Sequence, residues 1–415
     1  MRQGVGCALY EAEAGSLDEV RRCLEGWRFA CRLLGGGATE SPLAPGELLV
    51  IELRGGPADA AAPLVAAHGR AGGATLALCP ADDARGLARA AAFGCDDLLA
   101  WPFDPIELVR RLQILASLVA LTAERTARDR LFAPYREGLD PARAVRGRVP
   151  GVALLGRSEA AQAQLTAALP PASLAYLEGA RHLDMALRSG GIDLLLVTQP
   201  DLLAAALEAV EASDQEPPFL LAAHAGPPWA LELPPQIDLL SLPAPMPVAR
   251  ARLALALRSA AQRRWLRSPP LGAAAPLLLD ALTDLYNQGA FLDYLRAAGP
   301  DCALIGLEHE HLEAINEQSG YAAGNRTLAQ LGRSLQRQIR AHDFAAHLGG
   351  GRFAVAVPIQ DAGRLDRLCR RLQAGVAGPE PWPLLVRAEA LPVRGTPAQR
   401  LSRLFADVRR LRAVA

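Results

Sequence analysis

Residues 303–328 read ALIGLEHEHLEAINEQSGYAAGNRTL, and residues 349–353 read GGGRF. Ala303–Leu307 is a short, unbroken apolar run that stops at Glu308-His309-Glu310-His311, the pattern of a buried strand running out into a solvated polar loop. Phe353–Pro358 is a second such run, entered through three consecutive glycines. Between them Leu328, Leu331, Leu335 and Ile339 recur at helical spacing, which predicts a helix from Thr327 to about Ile339. Arg340 is expected to continue that helix, with Asp343 one turn further on and facing the same side. Residues 277–415 form one unit around these elements.

Working outward, the first 120 residues alternate short apolar runs with amphipathic stretches. Gly6–Tyr10, Leu48–Leu53, Thr75–Cys79 and Asp97–Leu99 read as strands, with helices at Leu17–Glu25 and around Arg89–Phe93. Asp104 caps a long helix that has Pro105 at its first position and Glu107 at its third. Strands separated by helices of this size predict a doubly wound parallel sheet. Glu124–Pro150 is polar and arginine-rich and reads as a connector. The alternation restarts at Val152–Leu155, continues through Asp193–Val197 and Phe219–Ala223, and closes on a helix through Val248–Leu266. The chain therefore divides into an α/β unit at 1–123, a connector at 124–149, a repeat of that unit at 150–267, a Pro/Gly/Ala-rich connector at 268–279, and a third unit at 280–415.

Composition narrows the function. At 415 residues, 51% apolar and 21% charged, the chain has an ordinary globular make-up, with about three domains at roughly 150 residues each. Basic and acidic residues balance at 44 each, which argues against a chain-wide basic field for nucleic acid or anionic lipid. All the basic residues are arginine, so no Schiff-base or P-loop lysine chemistry is open to it. Cys7, Cys23, Cys31, Cys79, Cys95, Cys302 and Cys369 are scattered, odd in number and lack any CxxC pair, as buried thiols in a reducing cytosol would be. No apolar run is long enough to span a bilayer and no leader is read, so the expectation is a cytoplasmic protein without membrane insertion.

The 1–123 unit resembles the receiver domain of response regulators. Gly94-Cys-Asp-Asp-Leu-Leu-Ala-Trp-Pro-Phe-Asp-Pro-Ile-Glu-Leu108 is similar to the receiver's last strand, lysine-proline turn and final helix. The resemblance places the phosphoacceptor at Glu52, the hydroxyl position at Cys79, the lysine position at Trp101, and only Glu11 or Glu13 near the metal-binding acids. Phosphotransfer is not expected from that set: the extra methylene of a glutamate misplaces its oxygen for in-line attack. Glu52 is then either a fixed negative charge or a partly solvated strand-end glutamate. In the second unit the acceptor position is Thr198, and the lysine position is Leu242, before Pro243. The remaining use implied for both units is as flavodoxin-like receiver platforms for homodimerisation and docking.

Asp280-Ala-Leu-Thr-Asp-Leu-Tyr-Asn-Gln-Gly-Ala-Phe291 resembles the DxLTGLxNRxxF opening of GGDEF domains, the diguanylate cyclase fold. In 303–328, Asn316, Gly320, Gly324 and Leu328 fall on that family's Asn, Gly, Gly and Leu, and Gly349, Gly350, Gly351, Arg352 and Phe353 stand where the signature belongs. The resemblance implies a nucleotidyl cyclase-like mixed sheet with surrounding helices. It also implies a ruined catalytic site. Glu308 replaces the first metal-binding aspartate, Gly351 supplies no ligand where the second carboxylate belongs, and Arg352 puts a positive charge where the family has an acid. Asn316 is the retained guanine contact, whereas Asn325 replaces the guanine-accepting aspartate, and Leu312-Glu313 replaces a phenylalanine-lysine step. Arg412 aligns with the family's phosphate-binding lysine. No Mg²⁺ or other cofactor is expected. On a strand end, at most two of Glu308, His309, Glu310 and His311 share a face, which argues against a metal site there.

Arg340-Ala-His-Asp343 lies five residues before Gly349, the spacing of the family's RxxD inhibitory site for cyclic di-GMP. The resemblance assigns that ligand to Arg340 and Asp343, with Arg371, or Arg370 or Arg367, as the further arginine. An arginine fork meets guanine O6 and N7, and a carboxylate accepts from N1 and N2. The alternative is a surface Arg–Asp pair. Two receiver-like units before a GGDEF domain resemble the PleD-type regulators, and the loss of catalysis with an intact RxxD resembles PopA-type effectors. That resemblance implies a non-enzymatic cyclic di-GMP receptor with protein partners in cell-cycle or cell-pole control. The competing readings are a residual diguanylate cyclase and a nucleotide-independent scaffold.

Overall fold

The computed structural model describes residues 6–11, 17–34, 43, 46–53, 61–136, 149–212, 219–224, 237–269, 271–299, 302–358, 362–375, 384–390 and 393–412. They fall into two compact units, one of 3–123 with 147–264 and one of 124–146 with 265–415.

The first unit holds two copies of one α/β pattern. In the first copy the elements run β1 (Gly6–Tyr10), α1 (Asp18–Gly26), β2 (Ala30–Leu34), β3 (Leu48–Glu52), α2 (Ala62–Arg70), β4 (Ala74–Pro80), α3 (Ala84–Ala92), β5 (Asp97–Trp101) and α4 (Pro105–Phe132). In the second they run β6 (Gly151–Leu155), α5 (Glu159–Ala168), β7 (Ser173–Leu177), α6 (Ala180–Ser189), β8 (Leu194–Val197), α7 (Leu203–Ala212), β9 (Phe219–His224), β10 (Asp238–Ser241) and α8 (Met246–Arg267). The sheet orders, β2-β1-β3-β4-β5 and β7-β6-β8-β9-β10, correspond strand for strand, and every pair is parallel. Central strands covered on both faces explain the unbroken apolar runs Leu48–Ile51 and Leu194–Val197, all buried. The edge strands β2 and β7 are largely exposed, each with its last residue alone buried. Asp104 caps α4 as expected, its Oδ1 accepting the Ile106 N–H at 2.7 Å.

The copies share one core and one buried charge cluster. Arg111 follows Asp97 by the same interval as Arg252 follows Asp238, and all four are shut off from solvent. Arg252 Nε lies 3.0 Å from Asp97 Oδ1, Arg111 Nη1 lies 3.4 Å from Asp97 Oδ2, and Arg111 also pairs with Asp238. Each copy thus supplies an arginine to the other's aspartate. Burial and the neighbouring Arg252 push the Arg111 guanidinium down to about 9, against the pull of Asp97. Glu52, at the end of β3, is buried and not a solvated strand end.

In the second unit the chain forms α9 (Ala275–Leu278), α10 (Gln288–Ala298), β11 (Ala303–His309), α11 (Leu312–Ser319), α12 (Tyr321–Gln338), β12 (Phe344–His347), β13 (Arg352–Val357), α13 (Ala362–Gly375), β14 (Leu384–Ala388) and α14 (Pro397–Arg412). The sheet order is β12-β13-β11-β14, and these strands pair antiparallel throughout. Among the described residues the expected mixed sheet is corrected: the strands pair antiparallel, and the one parallel pairing is an isolated bridge between Tyr286 and Ala346. Alternation along β11 and β13 serves two cores, Leu304, Ala354 and Ala356 on one face and Ile305, Leu307, Phe353 and Val355 on the other. Two stretches expected as connectors are structural. Glu124–Phe132 is the last part of α4, with Phe132 buried beside Tyr286, and Leu271, Ala274 and Leu278 lie in the same core.

Candidate functional site

The GGGRF turn links β12 to β13. Gly349 and Gly350 take φ of 92° and 59°, the left-handed region that glycine enters without penalty, and Leu348 N–H closes the turn on Arg352 O at 2.8 Å. His347 fixes it from below. Its Nε2 lies 2.8 Å from Gly350 O and its Nδ1 3.0 Å from Asp280 Oδ1. Asp280 Oδ1 also accepts from the Thr283 hydroxyl at 2.8 Å and the Thr283 N–H at 3.0 Å. Burial works against the Asp280 carboxylate, but the Thr283 hydroxyl and the His347 imidazole outweigh it and hold its pKa below the usual value.

Glu308 and Arg352 are directly opposed in the β11–β13 ladder. Glu308 is half-buried and its Oε2 has no hydrogen-bonding partner, whereas Arg352 is exposed with its guanidinium 5.8 Å over the Phe405 ring. Gly351 sits against the neighbouring strand: a Cβ there would lie 3.1 Å from His309 O and 3.3 Å from His309 Cβ. The expected polar loop at 308–311 is corrected in part, because Glu308 and His309 belong to β11 and His309 is buried. Burial and the nearby His311 push the His309 imidazole down. Among the described residues, no three His, Cys, Asp or Glu side chains gather as a metal-binding group. Of the two positions the resemblance assigns to a Mg²⁺ ion, Glu308 carries a carboxylate and Gly351 none, so that pair does not fit the ion.

Asn316 is half-buried on α11, its Oδ1 occupying the space a Gly324 Cβ would need, at 2.0 Å. Gly320 turns the chain between α11 and α12 with φ 79°. Asn325 is exposed on the first part of α12, and Leu312 opens α11. The side chain of Arg412 lies outside the described residues.

Arg340 does not continue α12. The helix stops at Gln338, and Ile339 is extended with φ −93° and ψ 161°. Arg340–Asp343 is instead a closed turn, in which Asp343 Oδ2 accepts the Arg340 N–H at 2.8 Å and Arg340 O accepts the Asp343 N–H at 3.0 Å. The turn frees the Arg340 side chain to solvent and buries the Asp343 carboxyl. Asp343 Oδ1 is left without a hydrogen-bonding partner, with His342 Nε2 4.0 Å away. Burial raises Asp343 to about 6, against the Arg340 N–H and the charges of Arg340, Arg128 and Arg371. Arg371, exposed on α13, donates from Nη2 to Gln338 O at 2.7 Å, on the last residue of α12. The three RxxD-site residues are thus brought together, whereas Arg370 pairs with Asp366 at 3.5 Å along α13.

The residues singled out at the acceptor and hydroxyl positions of the two α/β copies are buried. Thr198 is buried and its hydroxyl donates to Leu155 O at 3.1 Å. Cys79 is buried, which pushes its thiol up to about 12. Glu13 lies outside the described residues, and Glu11 is buried with Oε2 3.5 Å from the Leu17 N–H. No helix among the described residues is long and apolar enough to cross a membrane.

The family described as diguanylate cyclase, GGDEF domain, matches residues 277–381, and this part of the chain is a GGDEF domain. An uncharacterised protein, YhcK of Bacillus subtilis, is 34% identical over 106 residues, 24% of this chain and 30% of YhcK. The diguanylate cyclase DgcP of Pseudomonas aeruginosa is 34% identical over 109 residues, 24% of this chain and 16% of DgcP. The chain thus spans less than a third of the length of these curated relatives. Among solved structures, the GGDEF domain of DgcB from Caulobacter crescentus, in complex with c-di-GMP, is 20% identical with a TM-score of 0.30, covering 33% of this chain and 91% of that one.

Proposed function

With residues 277–381 a GGDEF domain, we propose that this chain is a non-catalytic cyclic di-GMP receptor that binds the dinucleotide at the Arg340–Asp343 turn. The observation that carries the reading is the grouping of exposed Arg340 and Arg371 around a buried carboxyl whose Oδ1 has no partner. Two guanidinium forks beside one acceptor match the O6/N7 edge and the N1/N2 donors of guanine. Catalysis is disfavoured by the same domain. Glu308 stands alone at the metal position, Gly351 offers no second carboxylate, and Arg352 adds positive charge across the ladder.

The parallel-sheet copies are read as receiver-like platforms, because their 2-1-3-4-5 strand order is that of flavodoxin-like folds. With Thr198 and Glu52 at the acceptor positions they serve docking and not phosphotransfer. The surfaces bearing Arg111 and Arg252 are used within the chain, so a homodimer forms through other faces. A cytoplasmic effector that recruits protein partners, at a cell pole or in cell-cycle control, is the setting this reading implies.

The test is to incubate the purified protein with GTP and Mg²⁺, and separately with labelled cyclic di-GMP. Retention of the dinucleotide with no product from GTP is expected. Product formation that Glu308→Ala abolishes would make the chain a residual cyclase.

A further inference from the structure

Two arginines outside the RxxD motif hold backbone at it and just before it. Arg128, near the end of α4, is buried, and its Nη2 donates to Asp343 O at 2.9 Å and to Ala341 O at 3.5 Å. Its Nη1 donates to Leu266 O of α8 at 2.9 Å, and its Nε to Glu124 Oε1 at 2.6 Å. Glu124 is itself held, its Oε2 accepting from the Tyr294 hydroxyl at 3.0 Å. The Arg128 guanidinium lies 5.0 Å over the Phe344 ring, next in sequence to Asp343. Arg267, the last residue of α8, donates to Gln336 O at 2.6 Å and to Ile339 O at 3.3 Å.

The carbonyls at 336, 339, 341 and 343 are therefore all held by guanidinium groups from the ends of α4 and α8. Capping of α12 alone accounts for Gln336, whose carbonyl is one of the helix's last four. It does not account for Ala341 and Asp343, which lie beyond the helix and belong to the turn itself. A turn of this length has no ladder to keep it in one conformation, and a binding loop fixed in its bound geometry avoids the cost of being ordered by the ligand.

We propose that Arg128 and Arg267 are positioning residues of the dinucleotide site, clamping the turn so that Arg340 and Asp343 are presented together, and that site occupancy and the placement of the α4 and α8 ends are linked. The inference rests on the turn being that site. Linkage makes the effect reciprocal: what loosens the helix ends weakens the ligand, and the ligand steadies the helix ends.

Hydrogen exchange and calorimetry on the full chain, wild type and Arg267→Ala, test it. Arg267 is half-buried, so its loss leaves the core intact; Arg128→Gln is the second variant. In Arg267→Ala without ligand, the Arg340 and Asp343 amides are expected to exchange about tenfold faster while β11 and β13 amides do not change. Cyclic di-GMP affinity is expected to fall about tenfold at an unchanged melting temperature. In wild type, added cyclic di-GMP is expected to slow exchange at 124–132. If wild type binds and Arg267→Ala binds equally, with unaltered turn amides, the clamp is overturned and the ligand site stands. If wild type does not bind, the ligand site fails and the positioning role falls with it.

Discussion

Arg340 and Asp343 exchange hydrogen bonds with each other, Arg340 N–H to Asp343 Oδ2 at 2.8 Å and Asp343 N–H to Arg340 O at 3.0 Å. This reciprocal pair has a sharp consequence. It spends one carboxylate oxygen on the turn, buries the other, and leaves the arginine side chain outward. The motif is therefore a closed turn and not two residues on one helix face.

The first prediction concerns pH. Burial raises Asp343 to about 6, above the ordinary carboxyl value. A carboxyl whose folded pKa is raised contributes stability that is fully present below its unfolded pKa and is lost as pH rises through about 6. The ligand acts in the opposite sense, because guanine N1 and N2 need the ionised acceptor. Cyclic di-GMP affinity is expected to fall between about pH 7.5 and about pH 5, and Asp343→Asn to flatten that slope. Calorimetric titrations across this range read both effects.

Arg371 is exposed and its guanidinium sits on the Gln338 carbonyl, beside the turn. Arg371→Ala is expected to weaken cyclic di-GMP about tenfold, about 1.4 kcal/mol, with no change in melting temperature. Arg370→Ala, in a solvent-exposed pair with Asp366, is the control and is expected to leave binding as it is.

Restoring the signature acid should not restore chemistry. A side chain at Gly351 would press on His309 at 3.1 Å, so Gly351→Asp is expected to cost about 1 kcal/mol of stability by thermal denaturation. With Arg352 opposite Glu308 in the ladder and Asn325 at the position of the family's guanine-accepting aspartate, no product from GTP and Mg²⁺ is expected.

The Arg111–Asp97–Arg252–Asp238 cluster joins the two copies of the α/β pattern. Arg111→Met strips Asp238 of its arginine and leaves Asp97 to Arg252 alone, and is expected to cost about 3–5 kcal/mol. Denaturant unfolding followed by circular dichroism measures it.

What the sequence conveyed followed from which signals are local. The central strands stand out as apolar runs, and the Asp104-Pro105 cap is written in adjacent residues. The edge strands β2 and β7 are largely exposed, β2 is broken by Arg32 and β7 is a short run between polar residues, so Ala30–Leu34 and Ser173–Leu177 go unread. The end of α12 was placed too late because no glycine or proline marks it. The local Arg340–Asp343 turn follows that end, and the Arg128–Asp343 bond, between residues 215 apart, holds it. Family spacing singles out Arg340 and Asp343, and Arg371 with Arg370 or Arg367 as alternatives. It does not single out Arg128 and Arg267, because an arginine in a chain this rich in arginine carries no signal until its partners are seen.

The measurement closest to the central claim is a calorimetric titration of the whole chain with cyclic di-GMP, beside Arg340→Ala. The account predicts low-micromolar or tighter binding that the substitution abolishes. Absence of binding in the wild type, or binding that survives Arg340→Ala, would contradict it.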